Sequence, residues 1–129
     1  MSNNAFFKPF ILGFAVFIIS CGKSAAPPGP ADAVLATYNA LEAQDTTAFL
    51  ASLSQDKVDA YTMYPDRIDT IMKNWKGEHA EVKVLSVKQN DSTTATVLYN
   101  LTVTGPRPHS HDSIHASLVM EGGEWKHGY

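Results

Sequence analysis

Three histidines stand at even spacing in His109-Ser110-His111-Asp112-Ser113-Ile114-His115. On an extended segment residues two apart share a face, so this spacing can set three imidazoles side by side, and neutral imidazole is a zinc ligand. No thiolate or inward carboxylate completes such a set, and His109 and His111 fall in a stretch, Gly105 to His111, that reads as a loop. A solvated polar sheet face is the competing reading of His109, His111 and His115. Cys21 is the chain's one cysteine and excludes an internal disulfide. Acids outnumber bases, 13 to 10, for a net charge of −3. The charges are scattered without a basic stripe to track a phosphate backbone, which argues against nucleic acid as a partner. Nothing calls for a cofactor.

The elements that position these residues begin with an apolar run, Phe10 to Ile19, preceded by Lys8 and closed by Ser20-Cys21. A helical span needs about 20 apolar residues, so this run is too short. A positive start, a short apolar stretch and a small residue before the cut describe a secretory signal peptide over residues 1–20. Ile18-Ile19-Ser20-Cys21 resembles the lipobox of bacterial lipoproteins, and the resemblance implies cleavage before Cys21 and lipid attachment to its thiol. Residues 21–30 then form a Pro-rich tether, of polyproline and coil character, reaching roughly 30 Å at about 3 Å per residue. Two acyl chains anchor a protein stably. The expected place is the bacterial envelope, at the outer membrane facing the periplasm, since Gly22 is not the aspartate that signals inner-membrane retention in enterobacteria. The remaining stretch, 31–129, is long enough for one domain with its own core.

That domain opens with helices. Asp32 can cap a first one, with Val34, Leu35, Tyr38 and Leu41 on one face. Asp45 can cap a short second helix carrying Phe49, Leu50 and Leu53, and Ser54 a third running to Tyr64. Pro65 ends the third and suits the first turn of a fourth. Ile68, Ile71, Met72 and Trp75 share a face of that fourth helix, and Gly77 can close it. From Ala80 the period changes to two. Val82 and Val84, then Leu85 and Val87, switch phase, as at a bulge or in a strand apolar on both faces. Gln89 to Ser92 is a turn by composition. Ala95, Val97, Tyr99, Leu101 and Val103 alternate with polar residues. Ile114, Ala116, Leu118 and Met120 form a third apolar face, and Gly122-Gly123 makes a tight hairpin to a short last strand with Trp125.

Helices first and antiparallel strands afterwards make an α+β domain. Three to four helices on a curved four-stranded sheet look like the nuclear transport factor 2-like (cystatin-like) cone, which SnoaL-type cyclases and ketosteroid isomerases share. Residues 31–129 resemble a domain-of-unknown-function family of small bacterial lipoproteins, some with a lumazine-binding-like label. Pro30-Ala31-Asp32, Leu41-Glu42-Ala43-Gln44-Asp45 and Glu121-Gly122-Gly123-Glu124-Trp125-Lys126 carry that likeness.

The resemblance implies a pocket between the helices and the concave sheet face. Tyr38, Tyr61, Trp75 and Tyr99 are the polar-tipped aromatics expected near it, where core packing is the plainer role. Catalysis on this fold needs a general base inside the pocket. The inward positions of the second and third strands hold neither acid nor histidine, so the expectation leans towards a non-catalytic protein. It would bind an apolar small molecule in the cone or an envelope protein, and its polar sheet face could support a homodimer. The alternatives are an isomerase-like or cyclase-like enzyme, told by a carboxylate or imidazole in the pocket, and a structural lipoprotein with a filled cone. Asp45-Thr46-Thr47, Asp69-Thr70-Ile71, Asp91-Ser92-Thr93 and Asp112-Ser113-Ile114 also fit the O-glycosylation triplet of exported Bacteroidota proteins. Thr46 and Ser92, at turns, are its candidate acceptors, although aspartate before Ser or Thr is ordinary at caps.

Overall fold

The computed structural model describes residues 28–128. The signal peptide assigned to 1–20, Cys21 and the tether up to residue 27 lie outside the described residues. Four helices come first: α1 (Pro30–Glu42), α2 (Thr46–Ala51), α3 (Gln55–Met63) and α4 (Pro65–Trp75). Four strands follow: β1 (His79–Gln89), β2 (Thr94–Thr104), β3 (His109–Glu121) and β4 (Glu124–His127). They form one antiparallel sheet in chain order. Among the described residues no helix is long and apolar enough to cross a membrane.

Local chemistry sets most of the boundaries. The Asp45 side chain accepts the Ala48 N–H at 2.9 Å, and Ser54 Oγ accepts the Lys57 N–H at 3.4 Å, so α2 and α3 carry the expected caps. Pro65 is the first residue of α4, where a missing N–H costs nothing. Gly77, at φ +79°, turns the chain from α4 into the sheet. The start of α1 differs from the expectation. Gly29, not Asp32, is the N-cap, and Asp32 reaches back from the third helical position to accept the Gly29 N–H at 2.7 Å. Proline prefers the first helical turn, so Pro30 belongs to the helix and not to the tether.

The alternation in β2 is what closes the core. Ala95, Val97, Tyr99, Leu101 and Val103 are all buried, as are Ala116 and Leu118 on β3. Val34 of α1 packs onto them. Burying a side chain of this size stabilises the fold by about 1.5–3 kcal/mol. A second cluster, Ala40, Leu41, Phe49, Leu53 and Met72, joins α1, α2 and α4. Between α1 and α4, Gln44 donates from Nε2 to the carbonyls of Leu41 (3.0 Å) and Met72 (2.8 Å).

Two bulges curl the sheet around the helices. The first lies between Val84 and Ser86 on β1, where the apolar phase changes in the sequence, and leaves Leu85 exposed. The second lies on β3 opposite Asn100, at Asp112-Ser113. At the far edge, β4 is tied to the α2–α3 junction. The His127 N–H donates to the Ser52 carbonyl (2.9 Å), and the Ser54 N–H donates to the His127 carbonyl (3.0 Å).

Candidate functional site

A cavity of about 360 Å³ opens between the helices and the concave face of the sheet. Its apolar wall includes Leu41, Phe49, Leu53, Ile71 and Leu101. Tyr38, Tyr61 and Trp75, three of the four aromatics expected there, line it as well. Tyr99 lies behind them, 2% exposed, with its hydroxyl 2.7 Å from that of Tyr38. The two rings meet edge to face at 5.9 Å, and Trp75 tilts against Tyr38 at 5.7 Å. Burial, then the bond to Tyr99, pushes the Tyr38 phenol well above its ordinary range, and burial likewise raises Tyr99. Both stay protonated, and one O–H···O bond uses only one of their two hydroxyl protons.

The histidines are where the structure departs from the sequence reading. His109 and His111 lie on β3 and not in a loop, paired with Val103 and Leu101. Cross-strand partners share a face, so both imidazoles stand on the concave side and border the cavity at its mouth, where both stay solvent-exposed. At Asp112-Ser113 the strand then takes one residue more than its partner. Ser113 sits at φ +58°, and its N–H donates to Asn100 Oδ1 at 2.8 Å. Past this bulge the phase is reversed: Ile114 pairs with Tyr99 and faces in, while His115 pairs with Leu98 and faces out. The candidate set of three imidazoles is therefore split between two faces. Among the described residues no group of three or more His, Cys, Asp or Glu is placed to hold a metal ion. The same bulge corrects the expectation that no histidine points inward.

A further imidazole enters from β4. His127 lines the cavity with its Nδ1 3.4 Å from Thr37 Oγ1. Thr37 Oγ1 also donates to the Ala33 carbonyl (3.1 Å) and meets Ser52 Oγ (2.8 Å), while Ser52 Oγ donates to the Phe49 carbonyl (2.7 Å). These three contacts already exceed the two hydroxyl protons available, so His127 serves the network best as the Nδ1–H tautomer, donating to Thr37. Burial, and then the nearby Lys57 charge, lowers its pKa from 6.5 to about 4, which keeps the ring neutral at pH 7. His109 has its tautomer set by a carbonyl: Nδ1–H donates to the Arg107 oxygen at 2.8 Å. The His109 and His111 rings sit edge to face, 5.3 Å apart. Neither Thr37 nor His127 was legible as a site residue. Thr37 is a polar position inside the long helix α1 and His127 ends the four-residue β4, and the burial of both depends on β4 returning under α1 and α2.

Among the described residues no carboxylate side chain lines this cavity. The buried Glu78 lies to one side and is committed to the loop before β3, accepting the Arg107 N–H at 3.1 Å with the guanidinium Nε at 3.8 Å. Glu42 accepts the Ala80 N–H at 3.0 Å and pairs with His79 at 2.8 Å, joining α1 to β1. A larger groove of about 470 Å³ runs between α1, α2 and the β3–β4 hairpin, with Ala33, Ala36, Ala48, Ala51 and Trp125 along it. Asp32, Ser52, Glu124 and Lys126 also border it. Asp32 accepts the Gly29 N–H, Ser52 bonds Thr37 and the Phe49 carbonyl, and Lys126 bonds Glu124 and the Ala51 carbonyl. Its polar groups are thus already committed, and the cone cavity is the better candidate. Thr46 and Ser92 are both exposed. Their preceding aspartates have plain structural work: Asp45 caps α2, and Asp91 Oδ1 accepts the N–H groups of Thr93 and Thr94, each at 2.8 Å.

Solved structures with the same arrangement of elements include an NTF-2 like protein of unknown function from Shewanella oneidensis MR-1. It aligns with a TM-score of 0.52 at 13% identity over 77% of this chain and 94% of the other. The fold is the nuclear transport factor 2-like cone. A SEC-C motif containing protein from Rhodopseudomonas palustris, solved in solution, shares it with a TM-score of 0.58 at 16% identity, over 71% of this chain and 69% of that one. No family model matches the chain, and no curated protein matches it. At such identities the cone likeness concerns backbone architecture alone.

Proposed function

We propose that this chain is a bacterial envelope lipoprotein, lipid-anchored through Cys21 at the outer membrane, whose cone binds a small and largely apolar molecule. The observation that carries the binding reading is the open cavity of about 360 Å³ walled by Tyr38, Tyr61, Trp75 and aliphatic side chains. A structural lipoprotein with a filled cone needs no such space, and ligand pockets begin at about 300 Å³. The anchoring half rests on the lipobox resemblance at Ile18 to Cys21 and the short apolar run before it. Native mass spectrometry of protein from its own host tests both halves, with a diacylated Cys21 and a co-purifying small molecule as the expected result. The same spectrum reads any glycan at Thr46 or Ser92. A Cys21→Ser variant that still fractionates with membranes as a cleaved form refutes the anchoring.

A second reading is acid–base catalysis of the isomerase or cyclase kind, and the imidazoles of His109, His111 and His127 in the cavity favour it. A positioned imidazole can take a proton from a carbon acid, whereas a binding cone needs no turnover. Deuterium incorporation into the retained ligand, lost in a His109→Gln/His111→Gln/His127→Gln variant that still holds it, would establish catalysis. Binding of an envelope partner, or a homodimer, through the polar sheet face remains the proposal for the other side of the sheet.

A further inference from the structure

We infer that β1 is a docking edge for a second copy of this chain, the two β1 strands pairing antiparallel about a two-fold axis at Val84-Leu85, whatever the cone holds. β1 is an end strand of the sheet, and among the described residues it pairs with β2 alone. In an antiparallel pair every second residue turns its N–H and C=O away from the neighbouring strand. Ala80 is one such residue, and its N–H is already taken by Glu42. Val82 and Val84 follow it in phase. The bulge at Leu85 then moves the row by one, so Val87, opposite Val97, is the next residue to face outward. Outward backbone groups along an eleven-residue end strand are a ready template for another strand.

In a two-fold pair, residue i of one copy meets residue j of the other and j meets i. The bulge selects the register: outward Val82 meets outward Val87 of the second copy, and the contact repeats across the axis. The charges agree with it. Glu81 and Lys88 are exposed on the polar face, opposite Thr102 and Thr96. Among the described residues neither has an ion-pair partner. In this register Glu81 lies directly across from Lys88 of the second copy, at a site without ladder bonds, where side chains come closest. Opposite charges so placed attract. Burial fits as well. Ala80, Val82 and Val84 pack against the core, whereas Leu85 and Val87 are 44% and 46% exposed. The pairing sets the bare half of each strand beside the covered half of the other and gives Val87 an apolar neighbour. A register centred on Val82 would bring Glu81 to Lys83, but it needs the Ala80 N–H that Glu42 occupies. Edge lysines ordinarily discourage pairing; with Glu81 opposite, Lys88 discourages every strand but its own copy.

Sedimentation equilibrium of the full chain in density-matched detergent reads the assembly, and a monomer–dimer equilibrium is the expected result. Glu81→Lys and Lys88→Glu should each weaken the dimer about tenfold, and the double exchange Glu81→Lys/Lys88→Glu should restore it. Both side chains are exposed, so the three variants keep the fold, as circular dichroism checks. Ser117→Arg, on the polar face of β3 opposite Thr96, should leave the dimer unchanged. A chain that stays monomeric at high concentration overturns the edge pairing. So does a dimer indifferent to the charge exchanges, or one lost with Ser117→Arg alone, which belongs to the polar face instead.

Discussion

Replacing His127 by Gln should flatten the fall in stability that the protein suffers on mild acidification. In the fold the ring is buried beside Lys57 and its pKa drops from 6.5 to about 4. The unfolded chain therefore binds the proton more readily than the native one, and each unit of difference is worth 1.36 kcal/mol. The contribution is present in full above pH 6.5, is lost as the pH falls from there to about 4, and levels off below. Its full extent is about 3 kcal/mol, a large share of the roughly 5–15 kcal/mol that holds a domain together. Urea unfolding of the full chain and of His127→Gln, followed by tryptophan fluorescence from pH 7 to pH 4, measures it. The difference between the two should close by about 3 kcal/mol across that range, whatever the variant costs at neutral pH. Asp91 does not blur the window: its pKa is lowered from 3.8 by the Thr93 and Thr94 bonds, so its loss comes at more acid pH. Parallel curves for the two proteins would show that His127 protonates as easily in the fold as outside it, and the account of the site would fail.

Tyr38→Phe should cost about 1–3 kcal/mol by leaving the Tyr99 hydroxyl buried without its partner. Removing both hydroxyls should cost less than the two single changes together, as a double-mutant cycle in urea would read. Ser113→Val should destabilise the domain by about 1–2 kcal/mol and Ser113→Gly should not, because φ +58° suits glycine and strains a β-branched residue. Thermal unfolding of the two variants checks this. Gly105→Ala should cost about 3 kcal/mol, since a Cβ there would sit 2.7 Å from Glu78 Oε1 and 2.7 Å from the Gly77 carbonyl at φ +136°. The same melts report it.

Much of the scaffold was legible one residue at a time. Asp45 and Ser54 cap their helices because a short acceptor side chain before a helical run has few better uses. Pro65 divides α3 from α4 by its own geometry, and the apolar phase change in β1 marks its bulge. The aromatic part of the cavity was legible too, since Tyr38, Tyr61 and Trp75 lie on apolar helix faces that must turn inward. Asp32 was misplaced by three positions because an acid at the third helical residue and an acid at the cap look alike in sequence. Both satisfy free N–H groups of the first turn.

The chain's own order of residues determined the α+β class, the helix limits and the inward faces of β2 and of the second half of β3, because caps, prolines and alternating burial act within a few residues of where they stand. Tertiary structure decided which histidines reach the cavity. A bulge belongs to two strands at once: Ser113 swings out of phase where the neighbouring Asn100 is there to catch its N–H. The inward set of His109 and His111, the outward set of His115 and the burial of His127 under Thr37 all follow from pairings across the sheet, which no local pattern encodes.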